Sequence, residues 1–161
     1  MPELIGAAIN GFAGVTKEYP VANGVTVTDG DFVYLTAGRV TSASIDGKTL
    51  LGIVHGSNSQ DPSNVTASLT TTGDAAGVAK VLVHVDPANK YLVTSDQVGT
   101  TLAASDVGQN FDVTGATGAQ LLDVSTRSAT TNQLEVIQFG YKGDLTKAVV
   151  IINEHKYKVN A

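Results

Sequence analysis

The stretch "VTVTDGDFVYLTAGRVTSA", residues 25–43, indicates the fold class most clearly, because its polarity alternates and turns interrupt it. In residues 25–28 valine alternates with threonine, so the two residue types point to opposite faces, as in a half-buried strand. The pairs at 29–30 and 37–38 are Asp-Gly and Ala-Gly, which favour tight turns. The stretch therefore predicts three short strands that run antiparallel.

Similar patterns recur along the chain and predict an all-β fold. In "AKVLVHVD", residues 79–86, Val81 and Val83 lie on the face opposite His84, which falls on the polar face. Because turn signals separate such runs at short intervals, we predict a compact antiparallel β-sandwich or barrel of about ten short strands. Other predicted strands are "VTASLTT" (65–71), "LEVIQF" (134–139) and "HKYKV" (155–159).

One segment predicts a helix. In "TTLAASDVG", residues 100–108, Thr100 or Thr101 would cap a helix of about two turns at most, and Gly108 would end it. The fold is therefore expected to contain at most one short helix.

Two of the predicted strands are apolar on both faces. They are "DFVYLT", residues 31–36, and "AVVIIN", residues 148–153. A strand with two apolar faces must be covered on both sides. We expect these strands to lie inside the sandwich or barrel, or to meet a neighbouring subunit on the second face.

The chain is predicted to form a single β domain, residues 17–161, preceded by an N-terminal arm, residues 1–16. The arm is apolar, but it has no basic segment typical of a secretory signal, and no run in the chain approaches the length of a transmembrane helix. Its apolar residues either fold onto their own domain or extend onto another subunit. They are Leu4, Ile5, Ile9 and Phe12.

Composition excludes several functional classes. The formal net charge is -5 and no cluster of Lys and Arg stands out, so nucleic-acid binding is not expected. The chain has no cysteine, which rules out disulfides and thiolate metal sites. Its stability must therefore come from packing or from assembly.

The first candidates for a general base or a metal site are the three histidines, His55, His84 and His155. Their spacing forms no metal-binding motif, and ordinary strand positions explain each of them. Asp29 and Asp31 flank a glycine as two calcium ligands would, but the next residues add no further oxygen ligands, so we prefer a turn with solvated carboxylates. The sequence predicts no catalytic, cofactor-binding or metal-binding residue, and the protein is not expected to be an enzyme.

The order of four segments resembles the capsid decoration (cement) proteins among the small virion proteins of tailed bacteriophages. The resemblance covers about residues 17–157 and lies in the succession of short glycine-punctuated β motifs. The segments are "VANGVTVTDGDFVYLTAGRVTSASIDGKTLLGIVHG", "GVAKVLVHVDPANKYLVTS", "TTLAASDVGQNFDV" and "VVIINEHKY".

The resemblance implies a compact β domain, commonly a homotrimer, that docks on the outside of the expanded head and clamps neighbouring major capsid proteins. It implies a location on the capsid exterior of the virion, after synthesis in the cytoplasm of the bacterial host. No cofactor is expected, and neither nucleic acid nor a membrane is an expected partner. Contacts with the capsid or another subunit would fall on the arm, with the loop at 57–64 exposed; the arm residues are Leu4, Ile5, Ile9 and Phe12.

Three other interpretations remain open. A structural protein of the phage tail or baseplate is the nearest, since β domains of this composition also serve there. A carbohydrate-binding β-sandwich would need exposed aromatic residues, yet the chain has no Trp, 4 Phe and 5 Tyr. A small hydrolase would need one of the histidines close to a nucleophile.

Overall fold

The computed structural model describes residues 3–5, 16–57, 70–153 and 155–156. Apart from one 3₁₀ turn, every regular element in these ranges is a strand, and all of the ladders are antiparallel. The predicted all-β fold is confirmed. The strands are β1 (Glu3–Ile5), β2 (Thr16–Pro20), β3 (Thr26–Thr28), β4 (Phe32–Thr36), β5 (Arg39–Thr41), β6 (Gly52–Ser57), β7 (Thr70–Thr72), β8 (Lys80–His84), β9 (Lys90–Thr94), β10 (Asn110–Thr114), β11 (Leu121–Ser128), β12 (Leu134–Tyr141) and β13 (Asp144–Ile152).

More strands form than the alternation of polarity predicts. Four of them, β1, β3, β5 and β7, are only three residues long, too short to show a period of two. Two of the predicted strands are described only in part, because residues 65–69 and 157–159 lie outside the described ranges.

The predicted cap of the helix at residues 100–108, Thr100 or Thr101, is wrong, because Ala103 occupies the N-cap position. The helix itself forms as a single 3₁₀ turn, Ala104–Asp106, within the two turns at most that the sequence predicts. Its carboxylate, from Asp106, accepts a 2.8 Å hydrogen bond from the N–H of Ala103 and a 3.0 Å bond from Nη2 of Arg127 on β11. Because this pairing ties the segment to the sheet within one turn, tertiary contacts override the local tendency to form a longer helix.

Five strands form the first barrel, in the spatial order β2-β8-β6-β4-β5. The sheet curls until its ends meet: just after β2, Val21 forms a parallel bridge with Val40 of β5. The N–H of Ala22 donates a 2.9 Å hydrogen bond to the carbonyl of Val40. This closure satisfies backbone groups that an open sheet would leave at its edges.

The second barrel consists of β9-β13-β12-β10-β11, in that spatial order. It closes in the same way, since Ser95, just after β9, forms a parallel bridge with Leu122 of β11. The N–H of Asp96 donates a 3.0 Å hydrogen bond to the carbonyl of Leu122. β1 is added to β9 as a sixth strand, and β3 pairs with β7 in a separate small ribbon.

Each barrel has its own hydrophobic core. The first encloses Val33 together with valines of its other strands, and the second encloses residues such as Phe111. The second core also contains Phe32, which lies on β4 next to Val33 but points out of the first barrel. β4 is therefore covered on both faces within one chain, which confirms the prediction for "DFVYLT" and makes a subunit interface unnecessary to explain it.

A glycine is required where β6 meets β8. A Cβ atom added to Gly52 would lie 1.7 Å from the carbonyl oxygen of His84, and the backbone φ of Gly52 is +153°. Only a residue without a side chain permits this approach.

Candidate functional site

The two barrels have the same connectivity. When the strands of each barrel are numbered in chain order, both sheets run first, fifth, fourth, second, third. Both close by a parallel bridge between the first strand and the third. The chain therefore contains the same five-stranded unit twice, and each strand of one barrel has a counterpart in the other.

The repeat extends to single hydrogen bonds at the turn before the second strand. Gly30 and Gly108 have backbone φ angles of +89° and +87°. The N–H of Gly30 donates to the carbonyl of Val54 at 2.9 Å, and that of Gly108 donates to the carbonyl of Val136 at 2.8 Å. Glycine suits both turns because it adopts a positive φ without steric cost.

The strand register repeats as well. Val54 pairs with Val83 on β8, and Val136 pairs with Val150 on β13. The register of the fourth strand shifts directly after Val54 in the first barrel and directly after Val136 in the second. A bulge therefore lies at the same point of the fourth strand in both barrels.

Side chains at equivalent positions differ in character. The N–H of Val54 donates to the carbonyl of Asp31, and the N–H of Val136 donates to that of Gln109, so Asp31 and Gln109 are equivalent. The next residues, Phe32 and Asn110, are equivalent too. Since the repeated hydrogen bonds come from the backbone, they do not require the same side chains, and the sequence does not reveal the duplication.

Asp31 links the two barrels. It is fully buried, and its carboxylate accepts hydrogen bonds from the N–H of Thr28 at 2.8 Å and the N–H of Gly118 at 2.7 Å. The hydroxyl of Thr117 also donates to it. Burial raises the pKa of Asp31 and outweighs these hydrogen bonds, which lower it. The sequence predicted that the carboxylates of the turn at residues 29–31 are solvated. This prediction is wrong for Asp31, because the turn between β10 and β11 covers it.

Gln120 makes a second link between the barrels. Its Oε1 accepts a 2.6 Å hydrogen bond from the N–H of Phe32, and its Nε2 donates a 3.1 Å bond to the carbonyl of the same residue. The side-chain amide thus replaces a neighbouring strand for one residue of β4. Gln120 is 1% exposed, so both bonds are shielded from water.

Gln133 makes a third link. Its Nε2 donates to the carbonyl oxygens of Ile45 at 2.6 Å and Lys48 at 2.7 Å, in the loop between β5 and β6. Its Oε1 accepts a 2.8 Å bond from the N–H of Val113. The sequence patterns did not predict a role for Gln120 or Gln133. The one local indication was that each is a single amide side chain directly before an apolar strand.

A shallow groove of about 370 Å³ lies where loops of the two barrels meet. Its walls contain neither charged nor aromatic side chains, which sugar-binding and catalytic sites commonly use. Three short stretches form the walls: residues 24–26, 42–44 and 115–117.

The N-terminal residues singled out from the sequence are described only in part. Residues 3–5 pair antiparallel with β9, and the register places Leu4 opposite Tyr91 and Ile5 opposite Lys90. Ile9 and Phe12 lie outside the described residues. The role of all four in contacts with other chains stays a prediction.

The histidines do not meet in one place. His55 and His84 are neighbours on β6 and β8, with ring centroids 4.7 Å apart, whereas His155 bridges to Leu50. His84 is only 2% exposed, so its assignment to a polar face is wrong. It pairs with Ile53, a residue of the second core, and the second barrel thus covers the face that the alternation predicts to be solvated.

Within the ranges that the structure describes, no three His, Asp or Glu side chains are grouped as metal ligands would be. None of the helical segments described has the length and apolarity needed to cross a bilayer. Comparisons of the chain with known protein families, with curated proteins and with solved structures found no match.

Proposed function

We propose that this protein is a capsid decoration protein that binds the outside of an expanded phage head and stabilises the lattice of major capsid protein. The observation that supports this most is the attachment of β1, which joins the edge of β9 by backbone pairing of residues 3–5. Strand addition of this kind requires little side-chain specificity and works equally between chains. The resemblance of the sequence to cement proteins points in the same direction.

The rigid connection between the barrels also suits this role. A protein that clamps two neighbouring subunits must keep its contact points at a constant distance. Three buried side chains hold the barrels together: Asp31, Gln120 and Gln133. Each makes at least two hydrogen bonds, and such buried networks give a structure one defined geometry.

Individually weak contacts are sufficient for stabilisation. A protein that binds only the assembled lattice stabilises that lattice by mass action. Many symmetric copies multiply the modest energy of each contact. The proposed partner is the major capsid protein, the proposed location is the capsid exterior, and the homotrimer follows from the resemblance.

Cosedimentation with expanded heads that lack this protein tests the proposal, with unexpanded procapsids as the control. We expect saturable binding to expanded heads only, at a stoichiometry that matches symmetry sites of the lattice. Sedimentation velocity of the free protein tests the trimer separately.

Absence of binding to either particle would contradict the proposal. The same protein would then be tested on purified tails and on glycan arrays, since a tail component and a carbohydrate-binding module are the remaining structural alternatives.

A further inference from the structure

Four large apolar side chains are strongly exposed in the described part of the chain. Val78 and Leu145 are 66% and 63% exposed, and Val98 and Val107 are 63% and 48% exposed. Single exposed apolar residues are common on protein surfaces and need no explanation. Two of these four, however, occupy equivalent positions in the two barrels.

The equivalence of Val78 and Leu145 follows from the hydrogen bonds that close each barrel. In the first barrel, the residue after β2 that forms the closing bridge donates a 2.9 Å hydrogen bond to the carbonyl of Ala79. In the second barrel, the bridge residue after β9 donates a 2.8 Å hydrogen bond to the carbonyl of Thr146. Each exposed side chain belongs to the residue directly before this carbonyl. Each therefore lies just outside the fifth strand of its barrel, or at its beginning.

An aspartate precedes each exposed residue, although at a different distance along the chain. A carboxylate oxygen of Asp74 accepts a 2.7 Å hydrogen bond from the N–H of Ala79, and a carboxylate oxygen of Asp144 accepts a 3.0 Å bond from the N–H of Thr146. The backbone beside each exposed apolar residue is thus held in place by an aspartate. A side chain presented from a fixed backbone loses little freedom on binding.

The fold does not require an apolar residue at either position. Packing favours apolar residues at the buried positions of a barrel, but positions in contact with solvent are free to differ between the two barrels. Ala22 in one barrel corresponds to Asp96 in the other, and Ala79 corresponds to Thr146; none of these four residues is buried. An exposed aliphatic side chain at the same place in both barrels therefore indicates a shared contact.

We propose that Val78 and Leu145 each insert into an apolar pocket on one subunit of a repeating partner assembly, so that one chain bridges two neighbouring subunits. This inference rests on the proposed function and adds the contact residues to it. A partner made of identical subunits is the kind that offers the same pocket twice. Two equivalent contact points on one rigid chain match such a partner.

Bivalent binding has a measurable signature. Linking two sites raises the apparent affinity by about 10²–10⁴ over that of either site alone. Loss of one contact should therefore weaken binding far more than loss of an unrelated surface residue. Because the two contacts are equivalent, both single losses should be of similar size.

The experiment compares Val78→Asp, Leu145→Asp and the double variant with unmodified protein in cosedimentation with expanded heads. Val98→Asp is the matched control, because Val98 has the same exposed fraction as Leu145 and corresponds to none of the other exposed large apolar side chains in the described part of the chain. Thermal unfolding and sedimentation velocity of each variant report on folding and self-association.

We expect each single variant to bind at least about tenfold more weakly, the double variant more weakly still, and the control within about twofold of the unmodified protein. Variants that bind like the control would overturn the inference while the proposed function stands. The inference would also be overturned if only one of the two single variants bound heads more weakly, or if the variants changed self-association and not binding to heads. If the unmodified protein does not bind heads, the proposed function fails, and the inference fails with it.

Discussion

The carboxylate of Asp31, in the first barrel, accepts a 2.7 Å hydrogen bond from the backbone N–H of Gly118, in the second. The acceptor is fully buried and the donor lies in the turn between β10 and β11. A turn of one barrel thus completes the hydrogen bonding of a turn in the other. The junction between the barrels is consequently sensitive to single polar substitutions.

Asp31→Asn should lower the free energy of unfolding by about 1–3 kcal/mol. An amide has one acceptor oxygen where the carboxylate has two, and its NH₂ group would face the N–H of Thr28 or of Gly118. Urea unfolding measures the change. Asp46→Asn, in an exposed turn, is the control and should be nearly neutral; an equally small effect at Asp31 would contradict the assignment of the link.

The contribution of Asp31 to stability should depend on pH. Because burial raises its pKa above the unfolded value of 3.8, the folded state binds the proton more tightly. The stabilising contribution is thus fully present below the unfolded pKa and is lost as pH rises through the folded pKa. The difference in unfolding free energy between the unmodified protein and Asp31→Asn should be larger at about pH 3 than at about pH 7. A difference that grows towards neutral pH would show that the pKa is lowered instead.

Gln133→Leu should destabilise the protein by about 2 kcal/mol or more, because it removes three hydrogen bonds to the backbone, among them the buried bond from the N–H of Val113. Leucine has a similar size, so the loss reports hydrogen bonding more than packing. Calorimetric unfolding measures it. Gln138→Leu, at an exposed position of β12, is the control; comparable losses in both variants would argue against a special role for Gln133.

Gly52→Ala should destabilise the protein by at least about 4 kcal/mol, because the new methyl group would collide with the backbone of β8. Gly47→Ala is the control: its φ is +66° but no atom lies within 4 Å of the added Cβ. That variant should lose only about 1–2 kcal/mol, from backbone strain alone. Similar losses would mean that β6 and β8 separate easily at this point.

Leu4→Asp combined with Ile9→Asp tests the N-terminal contact. We expect an unchanged unfolding midpoint and about a tenfold or greater loss of binding to expanded heads, since charged residues disfavour an apolar contact. Circular dichroism and cosedimentation measure the two effects. Unfolding of the variant would place this segment in the core of the domain and remove it from the candidate contacts.

Much of the fold could be predicted from local patterns. The alternation in "VTVT" and the turns at Asp29-Gly30 and Ala37-Gly38 predicted short antiparallel strands, and "DFVYLT" predicted a strand covered on both faces. Phe32 and Val33 are adjacent residues of this strand and contribute to different cores, as a strand with two apolar faces requires. These predictions succeeded because they depend on residues within one strand.

The candidate site was less predictable. The alternation of its strand predicts that His84 lies on a polar face, but alternation does not show what covers that face, and the side chain is buried. Gln120 and Gln133 bind backbone groups that are distant in the chain, with sequence separations of 88 for Phe32 and Ile45. No local pattern reports such a partner.

Side-chain alternation and turn residues act over a few positions, so the all-β class, the short antiparallel strands and most of their turns follow from local sequence. Three relationships appear only in the folded chain: the strands form two barrels of identical connectivity, Asp31 joins these barrels, and Val78 and Leu145 are equivalent. These relationships depend on backbone hydrogen bonds between distant strands, and the backbone is the same whatever side chains it carries.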